Sequence, residues 1–557
     1  MENQRVILWI ALAFTAWLTW QAWVADYDSP PAAVAESSVE QPLDVVDEDT
    51  LGDLPGLPET EGSKTDSAAD PLAVANPGSK KIRVHTDVME LMIDTRGGDL
   101  VGAILLNSPV DKKNPDVLVE MLSPSQAEYS VFLSGLRSAS GPATPGADAV
   151  YQSGKSEYLL ADGADVLEVP LTWVGADGLA VTKTYRFRRG QYGVDLEYEV
   201  RNGSATAWSG ASYVQIRRHQ LDQSRSMTDV DTYSYRGPVF YDGDKYEKLK
   251  VGDLNEEPFE AVTTDGWIAA IRHHFLLAAV PPPDQPASYK VTARGNRYTL
   301  SALGSVATVA PGQSGTFAET LFVGPKLQEQ LKETAPGLVL SVDYGWLTVI
   351  SQPLFWVLQK LHDLTGNWGW SIILLTVLIK IVFYKLSETS GKSMAKMRKL
   401  QPRMKALQER FADDRQGLSQ AMMELYKREK VNPASGCLPI LVQMPVFLAL
   451  YWVLLESVEM RQAPFALWIT DLSTKDPYFI LPLIMGAAMF MQQKLNPAPT
   501  DPVQAKVMQI MPIMFTGFFA FFPSGLVLYW VTNTLLSIAQ QWKINKVVEQ
   551  EAKTKKH

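Results

Sequence analysis

Cysteine is nearly missing: Cys437 is the only one in 557 residues, so no intrachain disulfide can form and no Cys/His spacing exists for a structural zinc site. Redox relays and zinc fingers are excluded. Cations are in deficit, with 51 Lys and Arg against 61 Asp and Glu and a formal net charge of −10. That balance argues against nucleic-acid binding through a globally basic surface and leaves only local basic clusters. Catalytic signatures are missing too: no HExxH, no GxSxG turn and no paired carboxylates within the apolar runs. Gly154-Lys155-Ser156 and Gly391-Lys392-Ser393 look like the end of a phosphate loop, but the glycine required five positions earlier is Ala149 in one and Leu386 in the other. The adjacent His273 and His274 have no evident third metal ligand, and on a strand they are expected to face opposite sides. The reading is of a non-enzyme with no cofactor and no metal.

What is present is apolar mass in two places. Hydrophobic residues make up 46% of the chain, enough for several cores, and the mean hydropathy of −0.05 conceals a polar middle between apolar runs. The uncharged stretch Val6 to Val24 is about 28 Å long as a helix, close to the hydrocarbon thickness of a bilayer. Its length and its four tryptophans favour a retained N-terminal transmembrane anchor over 1–25 rather than a cleaved signal. Asp26 to Asp70 holds 13 acidic residues and one Lys, so 26–80 reads as a disordered acidic Pro/Ala-rich linker unable to bury enough apolar surface to fold. From 81 to 340 the texture is of short alternating runs, including a hairpin with Gly295-Asn296 at its turn, which describes a β-sandwich domain. Over 341–366, Leu347, Ile350, Leu354, Leu358 and Leu361 recur every three or four residues, an amphipathic helix suited to the membrane–water interface.

Five further spans are expected within 367–542, at Trp370–Tyr384, Leu438–Leu455, Phe479–Met491, Met508–Phe522 and Leu526–Trp542. Charge orients them: Lys385 to Lys430 has 12 Lys and Arg against 6 acidic residues, and the basic tail 543–557 has 5 Lys against 2 Glu. Both belong on the cytoplasmic side. Six spans with both termini inside satisfy every loop. Between the second and third spans, Met394, Met397, Leu400, Met404, Leu407 and Phe411 form one stripe, and Asp413-Asp414 marks a break. This reads as a cytoplasmic helical hairpin over 387–432, kinked at Pro402. Its cations Lys396, Arg398, Lys399, Arg403 and Lys405 are either a solvated orientation signal beside anionic lipid or a contact for ribosomal RNA or a receptor.

Lys380 stands out because it lies inside an apolar run, where a mid-bilayer charge costs about 2.5–3.5 kcal/mol on insertion scales. Snorkelling to the inner interface is one account of it. The other is a polar cavity open to the cytoplasm, shared with Thr376, Gln443, Gln509, Tyr529, Thr532 and Asn533. Tyr529 and Asn533 are four apart and share a helical face. Met485, Met489, Met508, Met511 and Met514 offer a yielding surface for varied clients.

The segments NQRVILWIALAF, VDYGWLTVISQPLF, NWGWSIILLTVLIK, SMAKMRKLQPRMKALQERF, YKREKVNPASGCLPILVQMPVFLALY, SVEMRQAPFALWITDLS and FPSGLVLYWVTN resemble, in this order, the YidC/Oxa/Alb family of membrane protein insertases. The resemblance implies a polytopic α-helical membrane protein with six transmembrane helices, a large periplasmic β-supersandwich domain and a cytoplasmic helical hairpin, in the bacterial inner membrane. It implies a hydrophilic groove open to cytoplasm and lipid, with Lys380 where the family most often carries Arg. Thr376, Tyr529 and Trp530 fall where the family contacts substrate helices. Lys385 stands in place of a common Pro, from which a less kinked end of the second span is expected. Implied partners are nascent membrane proteins, SecYEG and SecDF translocon subunits, the ribosome, the signal recognition particle receptor and the lipid bilayer. The rival reading is a small-solute transporter or channel, which calls for paired repeats that the sequence does not display.

Overall fold

The computed structural model describes residues 53–56, 79–126, 128–220, 234–411, 414–429, 431, 438–495 and 502–554. The expected anchor over 1–25, most of the linker over 26–80 and the last three residues of the tail lie outside them.

Between Lys81 and Pro325 the described residues form two sheets, one of 11 strands and one of 8. Strict alternation builds the inner faces: Met89–Asp94 and Leu179–Arg188 bury every second residue, as a half-covered sheet requires. Trp208, Trp267, Tyr185, Tyr198, Tyr289 and Phe322 are fully buried in the resulting core. Gly295-Asn296 closes the hairpin of Pro286–Arg294 and Arg297–Leu303, with Gly295 at a φ of 63°, a conformation in which glycine carries no Cβ penalty. Lys183 is also inside, tolerated because its Nζ donates to the carbonyls of Gly97 at 3.0 Å and Ser134 at 2.9 Å. Burial pushes Lys183 down and its neighbour Asp99 up, each offset in part by the other's charge.

Two expectations are corrected here. His273 and His274 occupy the turn between strands Trp267–Arg272 and Phe275–Val280, not a strand, and their rings stack at 3.6 Å instead of facing opposite sides. The positive φ of 47° at His273 removes the strand alternation on which the expectation rested. No group of three or more metal-ligating side chains occurs among the described residues. Within the stretch read as a disordered linker, Asp53–Gly56 lies against the 11-stranded sheet. Leu54 is 4% exposed, packed with Ala211, Tyr213 and Leu303, because partners distant in sequence supply the apolar surface that the local composition lacks.

Two short helices, α1 (Val251–Glu256) and α2 (Gln328–Thr334), belong to the β-domain. Helix α3 (Thr348–Thr365) buries Ser351, Phe355 and Leu358 and leaves Val349, Trp356 and Leu364 outward. Gly366 then stops it in the left-handed conformation. Helix α4 (Trp368–Val382) is capped by Asn367, whose side chain accepts from the Trp370 amide at 3.2 Å. At Phe383 the chain turns through 69° into α5 (Tyr384–Arg410), so the expected straighter exit beside Lys385 is not what the chain does. Pro402 lies within α5, which continues past it. Helix α6 (Arg415–Arg428) starts at Asp414, whose carboxylate accepts from the Gly417 amide at 2.9 Å, and Leu400, Met404 and Leu425 bury between the two arms.

Helices α7 (Leu438–Glu456), α8 (Ile480–Leu495), α9 (Pro502–Phe519) and α10 (Ser524–Thr554) complete the bundle, with α10 packed against α4, α5, α7 and α8. Among the described residues no single helix is long and apolar enough to cross a membrane, and only the bent pair α4–α5 has the length and composition to do so. Six continuous spans are therefore not visible helix by helix: the apolar runs are short, and Pro445 and Pro512 lie within two of them. Met485 is fully buried against the bundle rather than available to clients, while Met514 is exposed.

The two parts of the molecule meet at a polar seam. Glu456, at the end of α7, accepts from the Ser234 hydroxyl at 2.7 Å and from Lys326 Nζ at 3.4 Å. Tyr344 accepts from Gln328 at 2.7 Å and lies 3.1 Å from the Ser457 hydroxyl. Arg461 donates to the carbonyls of Pro109 at 2.7 Å and Val110 at 3.1 Å.

Candidate substrate groove

Lys380 sits on the last turn of α4, half-buried, one turn beyond Thr376. Its Nζ donates to the Ser537 hydroxyl at 2.8 Å, and that hydroxyl donates to the Asn533 carbonyl one turn earlier on α10 at 2.7 Å. The Asn533 side-chain oxygen in turn accepts from Gln443 of α7 at 2.7 Å. Three helices thus meet in one polar chain inside an apolar bundle, and Lys380 has no carboxylate counter-ion among the described residues. An uncancelled cation in such surroundings attracts anionic groups strongly, because the low dielectric weakens screening.

The other expected residues separate into walls and outliers. Tyr529 is buried with its ring stacked on Phe447 at 6.1 Å, and Trp530 meets the same Phe447 edge-on at 4.6 Å and Phe519 at 5.2 Å. These aromatics form an apolar wall one turn from the polar chain. Thr376 and Thr532 are turned inward on their own helices, donating to Ile372 and Leu528 at 2.7 Å and 2.8 Å. Neither hydroxyl reaches Lys380. Gln509 lies exposed on α9 and is not part of the cluster. The residue missed from the sequence is Ser537, four positions after Asn533 and eight after Tyr529, and that same-face spacing was the signal available for it.

The five cations of the hairpin are all exposed, yet three are engaged with the protein itself. Arg398 reaches the Leu495 carbonyl at 3.5 Å, Lys399 the Val548 carbonyl at 2.9 Å, and Arg403 pairs with Glu429 at 2.7 Å. Lys396 and Lys405 make no ion pair among the described residues.

Residues 81–357 match the family model described as the YidC periplasmic domain, and residues 360–552 match that described as the 60Kd inner membrane protein. The membrane protein insertase YidC of Nitrosococcus oceani is 48% identical over 99% of this chain and 100% of its own length. Those of Thioalkalivibrio sulfidiphilus and Methylococcus capsulatus are also 48% identical, over 99% of this chain and 100% and 99% of theirs. A solved active YidC insertase with its first transmembrane domain resolved aligns at a TM-score of 0.36 and 20% identity, over 83% of this chain and 92% of that one. Matched from the β-domain through the helical bundle, and at this identity over nearly the full length, the chain belongs to the YidC family of inner-membrane protein insertases.

Proposed function

We propose that the chain inserts nascent integral membrane proteins by way of the polar chain of Lys380, Ser537, Asn533 and Gln443. The observation that carries the reading is the Lys380 ammonium, held by a neutral hydroxyl among apolar helices. A short polar outer segment of a client enters this groove from the cytoplasm, drawn by the cation if it is acidic, while the adjacent apolar helix slides along α7 and α10 past Tyr529 and Trp530. Burying about 20 apolar residues in lipid supplies the driving force, so no nucleotide is needed in this protein. The working topology has six spans with both termini cytoplasmic and the β-domain in the periplasm. Lys396 and Lys405 are the hairpin cations proposed to meet the ribosome or the signal recognition particle receptor, and SecYEG and SecDF are proposed neighbours in the membrane.

The test is insertion of a one-span client with an acidic outer tail into liposomes holding only this protein, read by protease protection. Lys380→Arg keeps the charge and is expected to retain insertion, whereas Lys380→Ala is expected to lower it about tenfold, the factor that corresponds to about 1.4 kcal/mol of lost attraction. Equal insertion by Lys380→Ala and the parent protein would reduce Lys380 to a snorkelling side chain.

A further inference from the structure

The acidic segment ahead of the β-domain touches it at one described place, Asp53–Gly56, and the contact has the features of a recognition site. Four neighbouring strands of the 11-stranded sheet contribute: Pro286–Arg294, Arg297–Leu303, Trp208–His219 and Ser130–Ser140. On the middle pair, Val214, Ile216, Leu300 and Ala302 face the core, so period-two alternation turns Ala211, Tyr213, Ser301 and Leu303 to the opposite face. That face would present an apolar patch to water. Leu54 covers it and is 4% exposed. Tyr213 can lie flat there because Gly135 opposite has no side chain, and a Cβ at Gly135 would meet the Tyr213 hydroxyl at 2.9 Å.

Polar contacts fix the direction of the segment. Asp53 accepts from the Thr292 hydroxyl at 3.2 Å through its side chain and from the Ser301 hydroxyl at 2.9 Å through its carbonyl, and its carboxylate is 3.5 Å from Arg294. Arg137 donates to the Pro55 carbonyl. Beside Asp53 a cavity of about 260 Å³ is walled by Arg217, His219, Arg294, Asn296 and Arg297. Arg217 is nine-tenths buried there and its Nε has no partner. The surplus of positive charge matches the 13 acidic residues of 26–70.

We propose that Asp53-Leu54-Pro55 is a docking motif that pins the acidic tether to a basic, leucine-accepting groove on the β-domain. The groove recognises a short turn-forming peptide with an acid followed by leucine and proline, and is occupied in cis. Residues 57–80 join the motif to the first strand and hold it at a high effective concentration, so these few contacts suffice. Docking gives the tether a second point of attachment and sets how far the N-terminal segment can stand from the β-domain.

The experiment uses the full chain in nanodiscs, with Cys437→Ser and spin labels at Gly56→Cys and Lys155→Cys, read by pulsed electron–electron distance measurement. Gly56 is exposed and a Cβ there meets nothing, so the label does not disturb the contact. One narrow distance is expected. Its share should fall by at least half with Leu54→Asp, and likewise with Arg294→Glu, an exposed site whose exchange spares the core. A broad distribution in the parent, or a narrow one unmoved by both substitutions, overturns the docking. A fluorescent peptide of residues 50–58, raised to the roughly millimolar concentration that the linker supplies in cis, should bind the Leu54→Asp chain and lose that binding with Arg294→Glu. Failure of the peptide to bind overturns the groove as a recognition site.

Discussion

At the scale of the residue, a cation and a carboxyl group show how burial sets behaviour. Lys380 is held by Ser537 and not by an acid, so the charge, rather than its partner, should govern the groove. Ser537→Ala removes the hydroxyl but leaves the ammonium, and insertion of an acidic-tailed client should fall less than about threefold, well short of the loss for Lys380→Ala. Glu319 is the opposite case, inside the β-domain with the Ser212 hydroxyl donating to it at 2.7 Å. Burial pushes its carboxyl up from 4.5 to about 8. Between those values the folded protein keeps a proton that the unfolded chain releases, so this group's contribution to stability falls as the pH rises from 4.5 to 8. Glu319→Gln cannot lose the proton and should flatten that part of the profile. Melting temperatures at pH 5 and pH 8 decide it: an equal drop in the variant and the parent removes Glu319 as the cause.

At the scale of the element, the first arm of the hairpin owes its position to a glycine. Gly391 faces α10 so closely that a Cβ would stand 2.7 Å from Ile544, and Ala395 continues the contact against Ile544 and Val548. Gly391→Leu overfills this seam, a change that costs about 1–3 kcal/mol, and should free Lys399 from the Val548 carbonyl. Tryptic cleavage after Lys399 is then expected about tenfold faster, and an unchanged rate would show that the arm is held elsewhere. Local signals made many elements legible in the sequence. Gly295-Asn296 announced a hairpin, Asp413-Asp414 a break before the second arm, and the polar residues inside apolar runs singled out Lys380, Gln443 and Asn533, which the structure places in one chain. Features that depend on distant partners were not legible. The 69° turn at Phe383 has no proline or glycine at the break, Leu54 finds its surface on strands more than 150 residues away, and Met485 is covered by packing that no window of sequence displays.

At the scale of the whole molecule, the β-domain is joined to the helical bundle by more than chain continuity. The end of α7 and the loop after it reach back to the β-domain through Glu456, Ser457, Glu459 and Arg461, so relative motion, the default between domains of one chain, is opposed by interactions at several points. At the centre of this seam lie Lys326 and Glu456, with side chains 1% and 4% exposed and 3.4 Å apart. Removing one charge strands the other away from water, and such a loss costs about 3–5 kcal/mol. Lys326→Met should therefore lower the unfolding midpoint of the full chain clearly. Adding Glu456→Gln removes the stranded carboxylate while keeping an acceptor for Ser234, and should recover most of the loss. The pairing of the two variants isolates the electrostatic part, since lost packing at Lys326 is common to both. If the double variant is as unstable as the single one, the seam rests on Tyr344, Gln328 and Arg461, and the charge pair serves only to fix which faces meet.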